Sequence, residues 1–139
     1  MDLFAVLLFL TLIIVVVNVA LAFKVHDSGL FAGRYRTSYT INSHRKWVNW
    51  FLLSTLLAIG LIESTVAVKH GSLFEMRLFH TYLGQVHLAL DIIFLTLAII
   101  MRWAKDGEYH SELHKKLAKV VRYIYVGILI TGTWLMIKL

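Results

Sequence analysis

Four long apolar runs, separated by short polar stretches, set the pattern of this chain: Leu3–Phe23, Trp47–Val68, Phe79–Trp103 and Leu117–Ile137. Roughly 20 residues at 1.5 Å each cross a bilayer core of ~30 Å, so each run is long enough for one span. The chain contains no proline, and nothing therefore forces a kink in any of the four helices. The stretch from Lys24 to Ser43, with Gly29, Gly33 and Thr37-Ser38-Tyr39-Thr40, reads as turn and interface chemistry rather than a packed element. Asn42 or Ser43 would then cap the second helix. That helix should end near Lys69-His70-Gly71, and Ser72 would cap a third helix starting as early as Leu73. Asp106-Gly107 marks a turn, and Ser111-Glu112 opens the fourth helix with an acidic first turn. Short links make spans two, three and four antiparallel neighbours. The expected fold is all-α: one integral membrane domain over 1–139, an antiparallel four-helix transmembrane bundle. The first run reads as a retained span, because no positive charge precedes it and no small-residue cleavage site follows.

Composition agrees with that pattern. Charged residues are 16% of the chain, against about a quarter in a soluble domain. The net charge of +6 does not point to nucleic acid, because the basic residues are placed by connection. Lys24, Arg34, Arg36, Arg45 and Lys46 lie between spans one and two. Arg102, Lys105, Lys115, Lys116, Lys119 and Arg122 flank the link between spans three and four. The positive-inside rule makes those two connections cytoplasmic and leaves both termini outside, in a bacterial or archaeal plasma membrane. The basic excess would contact anionic membrane lipid. Cysteine is absent, so any metal or heme must be held by His, Met, carboxylate or carbonyl groups of this chain.

The candidate chemistry lies in the third span. His80, Gly84, His87 and Asp91 stand at i, i+4, i+7 and i+11, one stripe on a helix. Ionisable groups in a bilayer are costly and normally face protein, a cofactor or a water-filled path. His87 should lie about 6 Å outside the middle of its span, and Glu63 of the second span about 8 Å outside its own. His70 and His80 would form a further layer about 10 Å beyond. Glu63, His70, His80 and His87 are thus candidate metal ligands, with a donor set suited to copper, zinc or iron. Heme b is the other candidate cofactor, with His80 or His87 as axial ligand and Gly84 letting the ring approach the helix. Asp91, one turn from His87, should lie within hydrogen-bond or one-water reach of it and orient its ring. His26, His44, His110 and His114 read as interface residues near helix ends. Gly127, Thr131, Gly132 and Thr133 read as packing residues of the fourth span. No nucleophile elbow, phosphate-binding loop or His-Glu-x-x-His motif is present, and no catalytic residue is assigned.

The order of four landmarks resembles a family of small four-helix bacterial membrane proteins linked to assembly of heme-copper cytochrome oxidase. These landmarks are His44-Arg45-Lys46 at the start of span two, His87 in FHTYLGQVHLAL, His114-Lys115-Lys116 before the last span, and Thr131-Gly132 within it. The outer link KHGSLFEMR lacks the Gly-Gly usual in that family, and no proline opens the last span. The resemblance implies a supporting role beside heme-copper respiratory chemistry, within or beside a larger membrane complex. A b-type cytochrome subunit taking electrons from a quinone pool, and a non-catalytic accessory subunit of a membrane metalloenzyme, are the alternative readings.

Overall fold

The structure, a computed structural model, describes residues 2–70, 81–105 and 111–138, with the side chain of His70 excepted. Four helices account for nearly all of them: α1 (Leu3–Tyr35), α2 (Ser38–His70), α3 (Tyr82–Arg102) and α4 (Glu112–Lys138). All four are long and apolar enough to cross a membrane. None is interrupted, as the absence of proline leads one to expect. The helices form two compact units, Met1–Gly71 and Ser72–Leu139, each a helical hairpin.

In the first hairpin α1 and α2 run antiparallel, since Thr11 meets Thr65, Asn18 meets Ser54, and Ser28 meets His44. The connection differs from the sequence expectation. The stretch after Lys24 is helix, α1 continues to Tyr35, and only Arg36 and Thr37 separate it from α2. Arg36 adopts the left-handed conformation (φ 50°), and its N–H closes the end of α1 onto the Ala32 carbonyl. Thr37 then starts α2 in place of Asn42 or Ser43. The Thr40 N–H donates to the Thr37 hydroxyl at 3.2 Å, and the Thr37 N–H donates to the Thr40 hydroxyl at 3.2 Å. This reciprocal arrangement satisfies two of the amides a helix start leaves open. Gly29, which reads locally as a turn residue, is an interface residue facing His44. At 33 residues each, α1 and α2 are about 50 Å long and exceed the hydrocarbon thickness of ~30 Å.

Polar rungs cross the α1–α2 interface among small and apolar side chains. Thr11 and Thr65 are 1% and 0% exposed and share a 3.3 Å hydroxyl contact. Asn18, also buried, donates its amide to Ser54 Oγ at 2.7 Å and Thr55 Oγ1 at 2.9 Å. Ala32, Ile41, Phe51, Ala58 and Val66 fill the space between the rungs. Between helices surrounded by lipid the hydrophobic drive is lost, and close packing and bonds of this kind are what hold such a pair. Both hydroxyls that receive Asn18 also donate to the Phe51 carbonyl, so truncating Asn18 orphans neither. Asn18→Ala is therefore expected to cost about 1 kcal/mol, within the range of intramembrane hydrogen bonds. Thermal unfolding in detergent would measure it. A loss above roughly 3 kcal/mol would mean the rung does more than pair two helices.

The second hairpin is also antiparallel. His87 packs on Gly132, Leu90 on Gly127 and Phe94 on Tyr125. Phe94 is 2% exposed and its ring centroid lies 5.7 Å from that of Tyr125. Helix α3 begins later than the sequence suggests. Thr81, in extended conformation, accepts from the Gly84 N–H at 3.1 Å and caps a helix starting at Tyr82, not Leu73. The proposed cap Ser72 lies outside the described residues. Ser111 caps α4 as expected, accepting from the His114 N–H at 3.1 Å, with Glu112 in the first turn. No described residue of α4 is fully buried, so Tyr123, Ile130 and Trp134 face outward from the hairpin.

Candidate functional site

His87 is the centre of the candidate site. Helix α3 carries it one turn before Asp91, and its Nε2 lies 3.3 Å from Asp91 Oδ2. Across the hairpin its Nδ1 lies 2.6 Å from Thr131 Oγ1. Gly132 makes this approach feasible. A Cβ built there would stand 3.1 Å from His87 Cε1, closer than nine in ten real contacts. The imidazole thus rests on the bare backbone of one residue and bonds to the hydroxyl of the residue before it. The side chains of His87 and Asp91 are 19% and 24% exposed within the hairpin, so both are largely withdrawn from its surface.

Thr131 Oγ1 also donates to the Gly127 carbonyl at 2.8 Å. Its single hydrogen serves that carbonyl or His87 Nδ1 according to the tautomer of the ring. A histidine and a carboxyl one turn apart, 3.3 Å between Nε2 and Oδ2, are two proton-exchanging groups placed side by side on α3.

A second seat of the same kind occurs in the first hairpin, at a histidine that sequence reading assigned to the interface alone. His44 is buried, its Nδ1 lies 2.9 Å from Ser28 Oγ, and a Cβ on Gly29 would stand 3.2 Å from its Cε1. Ser28 Oγ also donates to the Val25 carbonyl at 3.1 Å. Ser28-Gly29 and Thr131-Gly132 are equivalent devices: a hydroxyl within hydrogen-bond distance of Nδ1 and, one residue on, a missing side chain that admits the ring. The signal available in the sequence was the hydroxyl-glycine dipeptide itself. Nothing local says that a histidine will land on it.

The remaining sequence candidates distribute as follows. Gly84 is buried on α3, within the hairpin. Glu63 stands on the exposed side of its own hairpin, two residues before buried Thr65. The side chain of His70, and the whole of His80, lie outside the described residues, as does His110. Because α3 starts at Tyr82, its polar stripe consists of Gly84, His87 and Asp91. Asp91 is within hydrogen-bond reach of His87, as expected, but the bond to Nδ1 that orients the ring comes from Thr131.

The fit to a metal or heme can be tested on these atoms. A hydrogen bond to Nδ1 is how ligating histidines are commonly oriented, leaving Nε2 to bind. Here Nε2 is turned to Asp91. Among the described residues no group of three or more His, Cys, Asp or Glu could hold a metal ion. The described residues alone therefore do not make a finished metal centre, and what they bring together is a histidine and a carboxyl beside a hydroxyl. The chain matches no protein-family model, no curated protein and no solved structure.

Proposed function

We propose that this chain is a multi-pass protein of a bacterial or archaeal plasma membrane that supports the biogenesis or function of a heme-copper respiratory oxidase. It acts through His87, Asp91 and Thr131. One observation supports the reading above the others. Three of the four landmarks that resemble the oxidase-assembly family, His44, His87 and Thr131-Gly132, take part in the two histidine seats. His87 meets Thr131-Gly132, 44 residues away, at 2.6 Å, and His44 is buried on Ser28-Gly29. In this reading the oxidase complex is the partner, and the His87–Asp91 pair holds or passes a proton beside it.

Copper and heme b belong to the same reading as candidate cofactors. Either would supply one-electron redox chemistry when bound. His87 would hold it through the ring nitrogen that Thr131 does not engage. His80, His70 and Glu63 are the other candidate donors of this chain.

Removing the gene and following the membranes tests the proposal. Oxidase activity and the reduced-minus-oxidised heme spectrum should both fall, and the wild-type gene should restore them where a His87→Leu/Asp91→Leu gene does not. Unchanged oxidase in the deletion strain rules the reading out. The purified protein separates the cofactor forms. A Soret band favours a b-type cytochrome subunit fed by quinol, and stoichiometric copper without one favours copper handling.

Orientation has its own test in this cysteine-free chain. Single cysteines at Ser38 and Gly107 should label from the cytoplasm, and one at Ser72 from outside, following the basic connections. The reverse pattern would overturn the orientation with both termini outside.

A further inference from the structure

We infer that the groove between α1 and α2, near their link, is a seat for a zwitterionic phospholipid headgroup, with the phosphate at Lys24 and the ammonium at Asp27. This inference does not rest on the proposed respiratory role. The groove has a volume of about 220 Å³ and is lined by Lys24, Asp27, Ser28 and Phe31 of α1 and by Tyr39, Thr40, Ser43 and Trp47 of α2. Its α1 residues fall at i, i+3, i+4 and i+7 and so share one face, turned to the matching stripe of α2.

Three features point to this ligand. The first is position. Lys24 and Trp47 stand where the apolar runs Leu3–Phe23 and Trp47–Val68 meet the polar stretch, and the Lys24 ammonium lies 5.7 Å over the Trp47 ring. A headgroup in the groove would leave its acyl chains beside those runs. Indole rings and snorkelling lysines mark this boundary in membrane proteins. The second is charge. The lining carries one cation and one anion, a turn apart on one helix, and among the described residues neither is neutralised by an ion pair. A zwitterion matches both. An anionic headgroup meets the Asp27 carboxylate, and a neutral quinone uses neither charge. The third is the remaining lining. Tyr39, Thr40 and Ser43 contribute hydroxyls and Phe31 an aromatic face that suits an ammonium.

The test uses the full-length protein incubated with vesicles of equal phosphatidylethanolamine and phosphatidylglycerol, then extracted in mild detergent for native mass spectrometry. Wild type should retain phosphatidylethanolamine several-fold over phosphatidylglycerol. Asp27→Asn should abolish or reverse that preference, and Lys24→Gln should reduce retention of both. Both side chains are exposed, so neither change threatens the fold. Equal retention of the two lipids by wild type, or a preference unchanged in both variants, would overturn the proposal. So would displacement of the lipid by an equal concentration of glycerophosphoethanolamine, which would point to a soluble phosphate ester, or retention of quinone in place of phospholipid.

Discussion

His87→Leu is expected to destabilise the α3–α4 hairpin by about 3 kcal/mol, and more than Asp91→Leu does. The asymmetry follows from what each change leaves behind. Removing His87 strands the Asp91 carboxyl, 24% exposed, in an apolar helix with its one described ion-pair partner gone. An uncompensated carboxylate in a span costs at least ~2.5–3.5 kcal/mol, and breaking a buried pair from one side costs about 3–5 kcal/mol. Removing Asp91 leaves an imidazole still bonded to Thr131, a loss of about 1 kcal/mol. The double variant His87→Leu/Asp91→Leu should recover much of the single loss, because apolar replacement of a whole buried pair is often neutral. Unfolding in detergent at neutral pH measures all three. Additive losses would show that the two side chains do not act as one unit. A double variant that folds well yet fails to restore oxidase would place the residues' value in function and not in stability.

Gly132→Val should be the other severe change. A Cβ at this position already lies 3.1 Å from His87 Cε1, and the added methyls of valine have no room beside the ring. Either the ring leaves Thr131 or the helices part, and overpacking of this kind costs about 1–3 kcal/mol. Gly132→Ala should be far milder, since a shift of a few tenths of an ångström admits it. Gly29→Val should act in the same way on His44, where the corresponding approach is 3.2 Å. By contrast, Gly33→Ala and Gly60→Ala meet nothing within 4 Å and should be neutral or slightly stabilising through helix propensity. Imidazole 15N spectra would report whether the bond at Nδ1 persists. An unchanged His87 signal in Gly132→Val would refute the seat.

The sequence by itself determined whatever depends on local spacing. Length and apolarity are properties of consecutive residues, and each of the four runs supplies one helix, although α1 and α2 extend well past theirs at the link. The contact between His87 and Asp91 follows from a separation of four on a helix. Ser111 caps α4 because a hydroxyl before an acidic first turn does so without help from elsewhere. The tertiary structure alone decided the meaning of the small and hydroxyl residues. Gly29 and Ser28 resemble a turn when read in sequence, yet they lie inside a 33-residue helix because a histidine from α2 occupies the space they leave. Thr131 resembles a packing residue, yet it hydrogen-bonds a ring 44 positions away. Thr81 caps α3 at Tyr82. Glycine, serine and threonine can end a helix or let another helix come close, and their local chemistry is the same in both cases. What separates the two outcomes is the side chain that arrives from the neighbouring helix, and that is fixed only when the two helices pack.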